Sequence, residues 1–249
     1  MSAVLQTTRL CKSFGALSVA ANIDFALESG ARHALIGPNG AGKTTFVNLL
    51  TGRLAPSSGS VTLAGQDVSQ LDMAARVKRG IGRTFQINTL FGGMSVLDNV
   101  ALGVAERLGQ AGNWRRPANR FAAVRAEALE LLASLDIADA AARTVADLPY
   151  GQQRLVEIAI ALGLKPKVLL LDEPAAGVPK AESERILDAL GKLPQDIAIL
   201  IIEHDMDLVF RFAQRITVLV QGEVLCKGTP DEIEHDARVR EVYLGEAHA

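Results

Sequence analysis

The stretch that most constrains the fold of this chain is GPNGAGKTT, from Gly37 to Thr45. It follows a short apolar run, HALIG, and leads into a helical pattern that continues to Leu50. This order predicts a buried strand, a glycine-rich loop and a helix. Glycines let the loop backbone curl so that successive N–H groups face one point, and the helix start adds the positive end of its dipole. We therefore expect phosphate groups to bind at this loop.

The loop fits the pattern G-x-x-x-x-G-K-[ST] at every position. We expect the Lys43 ammonium to reach the β- and γ-phosphates of a nucleotide and the Thr44 hydroxyl to ligate Mg²⁺. The alternative is a glycine-rich turn that binds nothing, and it is disfavoured because strand, loop, lysine and helix pattern occur together. The predicted nucleotide-binding residues of the loop are Gly37, Pro38, Asn39, Gly40, Ala41, Gly42, Lys43, Thr44 and Thr45.

Two more apolar runs end in polar side chains. VLLL is followed by Asp172 and Glu173, and AILIIE is followed by His204. In open α/β sheets the ligand site lies at the carboxyl ends of the strands. Beside a phosphate loop, we expect Asp172 to hold Mg²⁺ directly or through water, and Glu173 to orient and deprotonate a water molecule. Without that loop, solvated acids at the end of a strand would be the better interpretation.

His204 and Gln86 complete the predicted set. His204 is expected to contact the γ-phosphate and to hold the water or the base in place, and an ordinary loop histidine is the alternative. The Gln86 amide oxygen could coordinate Mg²⁺ and hold a water, although most glutamines are surface residues. The candidate catalytic residues are thus Glu173, His204 and Gln86, and the candidate Mg²⁺ ligands are Thr44, Gln86 and Asp172.

Apolar runs that alternate with helical patterns predict an α/β fold with a largely parallel sheet. HALIG, KVLLLD and IAILIIE are expected as buried central strands. No strong strand pattern lies between about residues 95 and 165, and a helical spacing from Phe121 to Leu135 predicts a helical lobe inserted into the α/β core. Near the end, VLVQGEVLCKGTP predicts a hairpin that turns at Gln221-Gly222.

Charge and hydropathy limit the classes of partner. The net charge of −2 over 249 residues argues against a broad nucleic-acid-binding surface, and we expect no nucleic-acid partner. The apolar fraction is high, at 49%, but the longest apolar run near the end, Ile197–Ile202, is far too short to span a bilayer. Two widely separated cysteines, Cys11 and Cys226, fit a reducing compartment.

Together the motifs resemble those of the ATP-binding subunits of ABC transporters, in family order and over nearly the whole chain. Gly37–Thr45 stands at the Walker A loop, Gln86 at the Q-loop, VLLLDEP at Walker B and His204 at the switch histidine. LPYGQQ, from Leu148 to Gln153, stands at the signature motif and is called the signature turn below. Phe14, in KSFG, stands where the family has an adenine-stacking aromatic residue, usually tyrosine.

The resemblance implies a phosphate-loop ABC ATPase fold, with a RecA-like core sheet, an antiparallel β region and an inserted helical lobe. It implies one domain over residues 1–249, divided into a core (about 1–88 and 165–228), a helical lobe (about 89–164) and a C-terminal tail (about 229–249). In the family two subunits close head-to-tail around two ATP molecules. The residues that this implies for contact with the partner's ATP are Pro149, Tyr150, Gly151 and Gln152.

A narrower resemblance concerns the larger ATPase of branched-chain amino acid importers, on the stretches RGIGRTFQ, LPYGQQR, LDEPAAG, IIEHDM and VYLGEA. It implies a second ATPase subunit (a copy or a paralogue), two transmembrane permeases, a periplasmic solute-binding protein and a place at the cytoplasmic face of a bacterial inner membrane. Ile87–Met94 would dock a permease helix; its apolar Ile87, Leu90 and Phe91 could form that contact or belong to the core.

Alternative functions remain open at this point. The ATPase of lipopolysaccharide export has a similar VYLGE tail, and YGQQR and EHDM favour the importer over it. A soluble ABC ATPase of DNA repair or translation would carry long coiled coils or two cassettes, which 249 residues with one Walker A loop do not fit. A phosphate-loop kinase would need no signature turn.

Two prolines depart from the family pattern. Pro149 stands where the family usually has a serine that faces the γ-phosphate, and the lost hydrogen bond to a charged group would contribute about 1.5–3 kcal/mol. We expect Pro149 in the first turn of a helix, where a missing N–H is tolerated, and the contact to rest on the backbone N–H groups that follow. Pro179 stands at about the place of an acid or amide that helps to couple the two sites of the dimer.

Overall fold

The computed structural model describes residues 3–84, 90–110 and 118–245. The strands in these ranges are β1 (Ala3–Phe14), β2 (Leu17–Glu28), β3 (Arg32–Ile36), β4 (Ser58–Leu63), β5 (Gln66–Asp67), β6 (Ile81–Arg83), β7 (Val168–Asp172), β8 (Ala198–Ile202), β9 (Arg215–Val220) and β10 (Glu223–Gly228). The helices are α1 (Lys43–Thr51), α2 (Met73–Arg79), α3 (Val96–Arg107), α4 (Ala118–Ser134), α5 (Tyr150–Gly163), α6 (Lys180–Gly191), α7 (Met206–Phe212), α8 (Pro230–His235) and α9 (Ala237–Gly245).

The strands form two sheets. An antiparallel sheet has the order β2-β1-β4-β5, and a second sheet has the order β10-β9-β3-β8-β7-β6. In the second sheet every neighbouring pair is parallel except β9 and β10. The three strands predicted as central, β3, β7 and β8, are buried at every residue. The predicted α/β fold with an antiparallel β region is therefore confirmed.

Two hydrophobic cores flank the parallel sheet. One lies between the two sheets and includes Phe25 of β2 and Phe46 of α1. The other covers the opposite face and joins the sheet to α3–α7. Within it α3 and α5 approach so closely that a Cβ at Gly103 would lie 2.6 Å from the Ile160 carbonyl oxygen. The helical spacing predicted near Phe121–Leu135 is found as α4, and the described residues between 95 and 165 form no strand.

The predicted hairpin is formed by β9 and β10, and its turn braces other parts of the chain. Gln221 and Gly222 have φ of 49° and 83°, the left-handed values that a two-residue hairpin turn uses. The Gly222 N–H donates to the Ala41 carbonyl at 2.9 Å, and the Gly222 carbonyl accepts from the Ala21 N–H at 2.8 Å. The turn thus connects β2 to the phosphate loop.

In the described part of the chain, none of the helices has the length and apolar character needed to cross a bilayer.

One histidine is buried in the central strand β3. The His33 side chain is 4% exposed, and its Nε2 lies 2.9 Å from Thr217 Oγ1. The Phe25 ring packs edge-on against it at 5.0 Å between ring centres. Burial lowers the pKa of His33 from 6.5 to about 4, and the nearby charges of Arg215 and Lys227 add to the shift. The imidazole is therefore neutral in the folded protein near neutral pH.

This burial predicts an acid-dependent loss of stability. Because the folded-state pKa is below the value of 6.5 in the unfolded chain, the contribution of His33 is complete above pH 6.5 and is lost as pH falls towards 4. We expect the loss to reach about 3 kcal/mol of unfolding free energy. Urea denaturation of wild type and His33→Gln at several pH values measures it. The variant should show a flatter profile, exposed His235→Gln should follow wild type, and parallel profiles for His33→Gln and wild type would contradict the prediction.

Candidate functional site

The loop between β3 and α1 is shaped by close contacts with other strands. Gly37 and Gly42 have φ of 153° and 96°, values that residues with a side chain rarely adopt. A Cβ at Gly37 would lie 2.1 Å from the Leu219 carbonyl oxygen, and one at Gly42 would lie 2.7 Å from that of Val19. Only glycine fits at these two positions, so the loop is held in one conformation by β9 and β2.

Lys43 lies at the mouth of this loop. Its Nζ donates to the carbonyl oxygens of Gly37 and Pro38 at 2.5 and 2.9 Å. Helix α1 begins at Lys43, its first turn has no acidic residue, and among the described residues no side chain caps it. The first-turn N–H groups and the helix dipole therefore attract an anion. The exposed residues of the loop are Asn39, Gly40 and Thr44.

The carboxyl ends of β3, β8 and β7 meet at the same edge of the sheet, beside the loop. Asp172 ends β7 and is 4% exposed. Its Oδ2 accepts a hydrogen bond from Arg83 Nη2 at 2.9 Å, and Arg83 Nη1 donates to Asn48 Oδ1 of α1 at 2.8 Å. A single arginine, whose side chain is 8% exposed, thus joins the predicted Mg²⁺ carboxylate to the helix that follows the phosphate loop.

Glu173 and His204 lie close together at this edge. His204 Nδ1 is 3.7 Å from Glu173 Oε1, and their side chains are 66% and 32% exposed. Glu173 has a φ of 49°, a left-handed conformation that costs a residue with a side chain about 1–3 kcal/mol. Its N–H donates to the Ile202 carbonyl of β8 at 2.9 Å, which holds this conformation. The structure therefore brings the predicted base and histidine together at a position that solvent can reach.

A second carboxylate, Glu203, lies behind this pair and was not among the predicted site residues. It is 2% exposed. Its Oε1 accepts the N–H of Ala175 at 3.0 Å, and its Oε2 accepts the N–H of His204 at 3.3 Å. Burial raises the pKa of Glu203 above its ordinary value, and the two N–H bonds act in the opposite direction.

The signature turn leads into α5. Pro149 occupies the N-cap position with a φ of −54°, one residue before the first turn in which we expected it. The Gly151 N–H donates to Glu182 Oε2 of α6 at 3.2 Å. A Cβ at Gly151 would lie 2.3 Å from the same oxygen, so glycine is needed for this approach. A carboxylate of the same chain thus occupies the start of α5, where the helix dipole favours an anion.

The side chain of Tyr150 is held by a buried arginine. Its Oη accepts a hydrogen bond from Arg154 Nη2 at 2.6 Å, and the Arg154 guanidinium lies 4.9 Å from the ring centre. Arg154 also forms an ion pair with Glu157 at 2.8 Å. The Tyr150 side chain remains 38% exposed. This network fixes the first turn of α5 and leaves part of the tyrosine side chain open to solvent.

The remaining predicted residues lie apart from these contacts. Phe14 is 52% exposed at the end of β1, where the Lys12 ammonium lies 5.0 Å from its ring centre. Gln86 and Ile87 lie outside the described residues. Leu90 packs against the core, whereas Phe91 is 59% exposed.

Three site residues escaped the sequence analysis: Arg83, Glu182 and Glu203. For Glu203 a signal was present, because it directly follows a fully apolar strand, as Asp172 ends one. Arg83 also stands at the end of an apolar run, the short IG, as a charged residue of the opposite sign. Its position at the end of a strand could have marked it in the same way. Glu182 has no local signal, since an acid in the first turn of a helix is common.

Comparison with known proteins identifies the relatives of the chain. Residues 20–176 match the family model of the ABC transporter, and residues 223–249 match that of the branched-chain amino acid ATP-binding cassette transporter. The high-affinity branched-chain amino acid transport ATP-binding protein BraF of Pseudomonas aeruginosa is 36% identical, with 98% of each chain covered. LivG of Escherichia coli is also 36% identical over 98% of each chain.

Solved structures of ABC transporter cassettes also match this chain. The ADP conformation of an ATP-binding cassette of an ABC transporter matches with a TM-score of 0.86 at 28% identity, over 98% of this chain and all of the other. A dimeric bacterial ABC transporter cassette matches with a TM-score of 0.75 at 25% identity, over 91% of this chain and 98% of the other. The chain therefore belongs to the ABC transporter family and is an ABC ATPase.

Proposed function

We propose that this chain binds and hydrolyses ATP to power an importer of branched-chain or other hydrophobic amino acids. It acts at the cytoplasmic face of a bacterial inner membrane, together with a second ATPase subunit, two permeases and a periplasmic solute-binding protein. The observation that carries the proposal is the shared sheet edge, where the phosphate loop, Asp172, Glu173 and His204 follow three adjacent parallel strands. The names of the relatives favour the importer over lipopolysaccharide export.

The phosphates of ATP bind at the loop Gly37–Thr45. The N–H groups at the start of α1 and the Lys43 ammonium provide the positive charge that a triphosphate requires. Lys43 now bonds to two loop carbonyls, so it exchanges these partners for phosphate oxygens when nucleotide binds. Phe14 offers an exposed ring on which adenine stacks.

Mg²⁺ suits the oxygen donors at this edge. Thr44 supplies an exposed hydroxyl and Asp172 a carboxylate, and Mg²⁺ commonly takes one or two such ligands together with phosphate oxygens and water. Gln86, the third predicted ligand, lies outside the described residues. When bound, the ion neutralises charge on the β- and γ-phosphates. Since Arg83 Nη2 donates to Oδ2 of Asp172, the arginine holds the carboxylate in one orientation before nucleotide arrives.

Glu173 accepts the proton of the attacking water, and His204 orients the glutamate and the γ-phosphate. The 3.7 Å separation of His204 Nδ1 from Glu173 Oε1 is close enough for a small side-chain rotation to form a hydrogen bond. Both side chains are partly exposed, so that a water and a phosphate can reach them. Each group supplies a proton acceptor or donor, and neither forms a covalent intermediate.

The signature residues Pro149, Tyr150, Gly151 and Gln152 contact the ATP held by the partner subunit. Proline offers no hydroxyl and no N–H, so the contact rests on the N–H groups at the start of α5 and on the helix dipole. The helical lobe, about residues 89–164, carries this face and docks the permease. Phe91, which is 59% exposed in this lobe, offers an apolar ring for that docking.

The base assignment predicts the behaviour of Glu173→Gln. Loss of a general base lowers kcat by about 10²–10⁴-fold. The ATP dissociation constant should stay within about twofold, and an ATP-bound dimer should accumulate because hydrolysis no longer separates the subunits. Steady-state ATPase assays, calorimetry and size-exclusion chromatography with ATP measure the three quantities. Glu184→Gln, in α6, serves as the matched control. Full ATPase activity of Glu173→Gln would show that the base lies elsewhere.

The phosphate-loop assignment predicts weaker nucleotide binding for Lys43→Ala. A hydrogen bond to a charged group contributes about 1.5–3 kcal/mol, so the ATP dissociation constant should rise by about ten- to hundredfold. Calorimetry measures it, and thermal denaturation checks that the loop substitution leaves the fold intact. Lys192→Ala, which removes an exposed lysine paired with Asp136, should bind ATP as wild type does. Unchanged affinity in Lys43→Ala would count against the assignment.

The contact between Glu182 and Gly151 predicts that the signature turn of the ATP-free chain is partly blocked. A carboxylate at a helix N-terminus is stabilised by about 0.3–1 kcal/mol, and it competes with the partner's γ-phosphate for the same N–H. In the Glu173→Gln background, adding Glu182→Gln should lower the ATP concentration for half-maximal dimerisation by about two- to fivefold. Glu184→Gln in the same background should not, and a higher ATP requirement for Glu182→Gln would contradict the competition.

A further inference from the structure

Glu203 connects the two loops that carry the proposed base and histidine. It follows the last residue of β8 and directly precedes His204 in the chain. Its two oxygens accept one backbone N–H each, from Ala175 at 3.0 Å and from His204 at 3.3 Å. Ala175 lies two residues after Glu173, in a turn closed by the bond from the Ala176 N–H to the Glu173 carbonyl at 3.1 Å.

The place of this carboxylate is unfavourable for stability. The side chain is 2% exposed, and burying a carboxyl group costs free energy unless it is paired. In the described part of the chain its ion-pair contact is with the His204 ring, whose Nδ1 lies 4.0 Å from Glu203 Oε2. The nearby Glu173 carboxylate has the same sign of charge and disfavours ionisation of Glu203. A residue kept at such a cost suggests a role in function.

Direct participation in proton transfer does not fit the geometry. Both oxygens of Glu203 accept backbone N–H groups, and within the described part of the chain the residue is only 2% exposed. Glu173, by contrast, is about one-third exposed on the open side of the same edge. Glu203 therefore acts through the backbone that it holds.

We propose that Glu203 is a positioning residue for ATP hydrolysis, an inference that rests on the proposed function. Its carboxylate ties the turn after Glu173 to the peptide N–H of His204, and so sets the spacing between the base and the histidine. Each of these residues sits on a loop at the end of a different strand, β7 or β8. The bond from the Glu173 N–H to the Ile202 carbonyl joins the two strand ends, and Glu203 adds the contact between the turn after Glu173 and the loop of His204. When that contact is lost the two loops can shift, and small displacements of catalytic groups reduce rates strongly.

Glu203→Gln tests the proposal with a side chain of nearly the same shape. Glutamine keeps one oxygen acceptor but directs its NH₂ towards one of the two N–H donors, so one of the two bonds is lost. We expect kcat to fall by about ten- to hundredfold, while the KM and the dissociation constant for ATP stay within about twofold. The melting temperature should change by less than about 3 °C, since a buried charge is removed along with the bond. Glu184→Gln is the matched control and should keep wild-type kinetics.

A double-mutant cycle distinguishes positioning from a general structural effect. If Glu203 acts partly through His204, the kcat loss caused by Glu203→Gln should shrink by at least about threefold in a His204→Ala background. Equal losses in both backgrounds, or a wild-type kcat for Glu203→Gln, would overturn the proposal. Should Glu203→Gln fail to fold, Glu203→Asp keeps the charge and shortens the reach. The same kinetic split and the same shrinkage are then expected of Glu203→Asp, and their absence overturns the proposal equally.

The outcome also separates this inference from the proposed function. If Glu173→Gln keeps full ATPase activity, the base assignment of the proposed function fails. If Glu173→Gln abolishes turnover while Glu203→Gln keeps the kcat of wild type, only the role of Glu203 is wrong.

Discussion

The parallel pairing of β3, β8 and β7 is the constraint on which the rest of the site depends. Leu35 of β3 pairs with Ile202 of β8, and Ile202 pairs with Asp172 of β7, so the three strands end in one row. The phosphate loop, Glu173 and Glu203 then begin within two residues of that row. Strands buried on both faces cannot shift their register without exposing or burying the wrong side chains. The two hydrophobic cores therefore fix the geometry of the proposed site as well as the fold.

At this edge the chain places two carboxyl groups, those of Asp172 and Glu203, in buried positions. The free-energy cost of burying each group is offset in a different way. Asp172 is matched by a cation, Arg83, which also reaches α1. Glu203 is matched by backbone N–H groups and lies next to another acid. Stability alone would favour apolar side chains at both sites. The burial of apolar side chains in the cores on either side of the sheet offsets the free-energy cost of these two carboxyl groups.

The sequence predicted the parts of the site whose signals are local. Each of these signals depends on spacing within about ten residues. They are the phosphate loop, the three apolar strands, the acids and the histidine that follow these strands, and the hairpin at Gln221-Gly222. The sequence missed the contacts between distant elements. Arg83 meets Asp172, and Glu182 meets Gly151, only because strands and helices far apart in the chain are packed together. Pro149 was expected one residue too far into its helix, since periodicity locates helix ends to within a few residues.

The turn at Gly222 has a consequence for how the protein is made. Gly222 donates to Ala41 in the phosphate loop, and the neighbouring β9 crowds Gly37 so closely that no side chain fits there. One wall of the loop is thus supplied by a segment that leaves the ribosome well after the loop itself. The nascent chain contains the whole GPNGAGKTT sequence long before it contains this wall. The loop therefore reaches the conformation described above only after β9 and β10 have been synthesised and have joined the sheet.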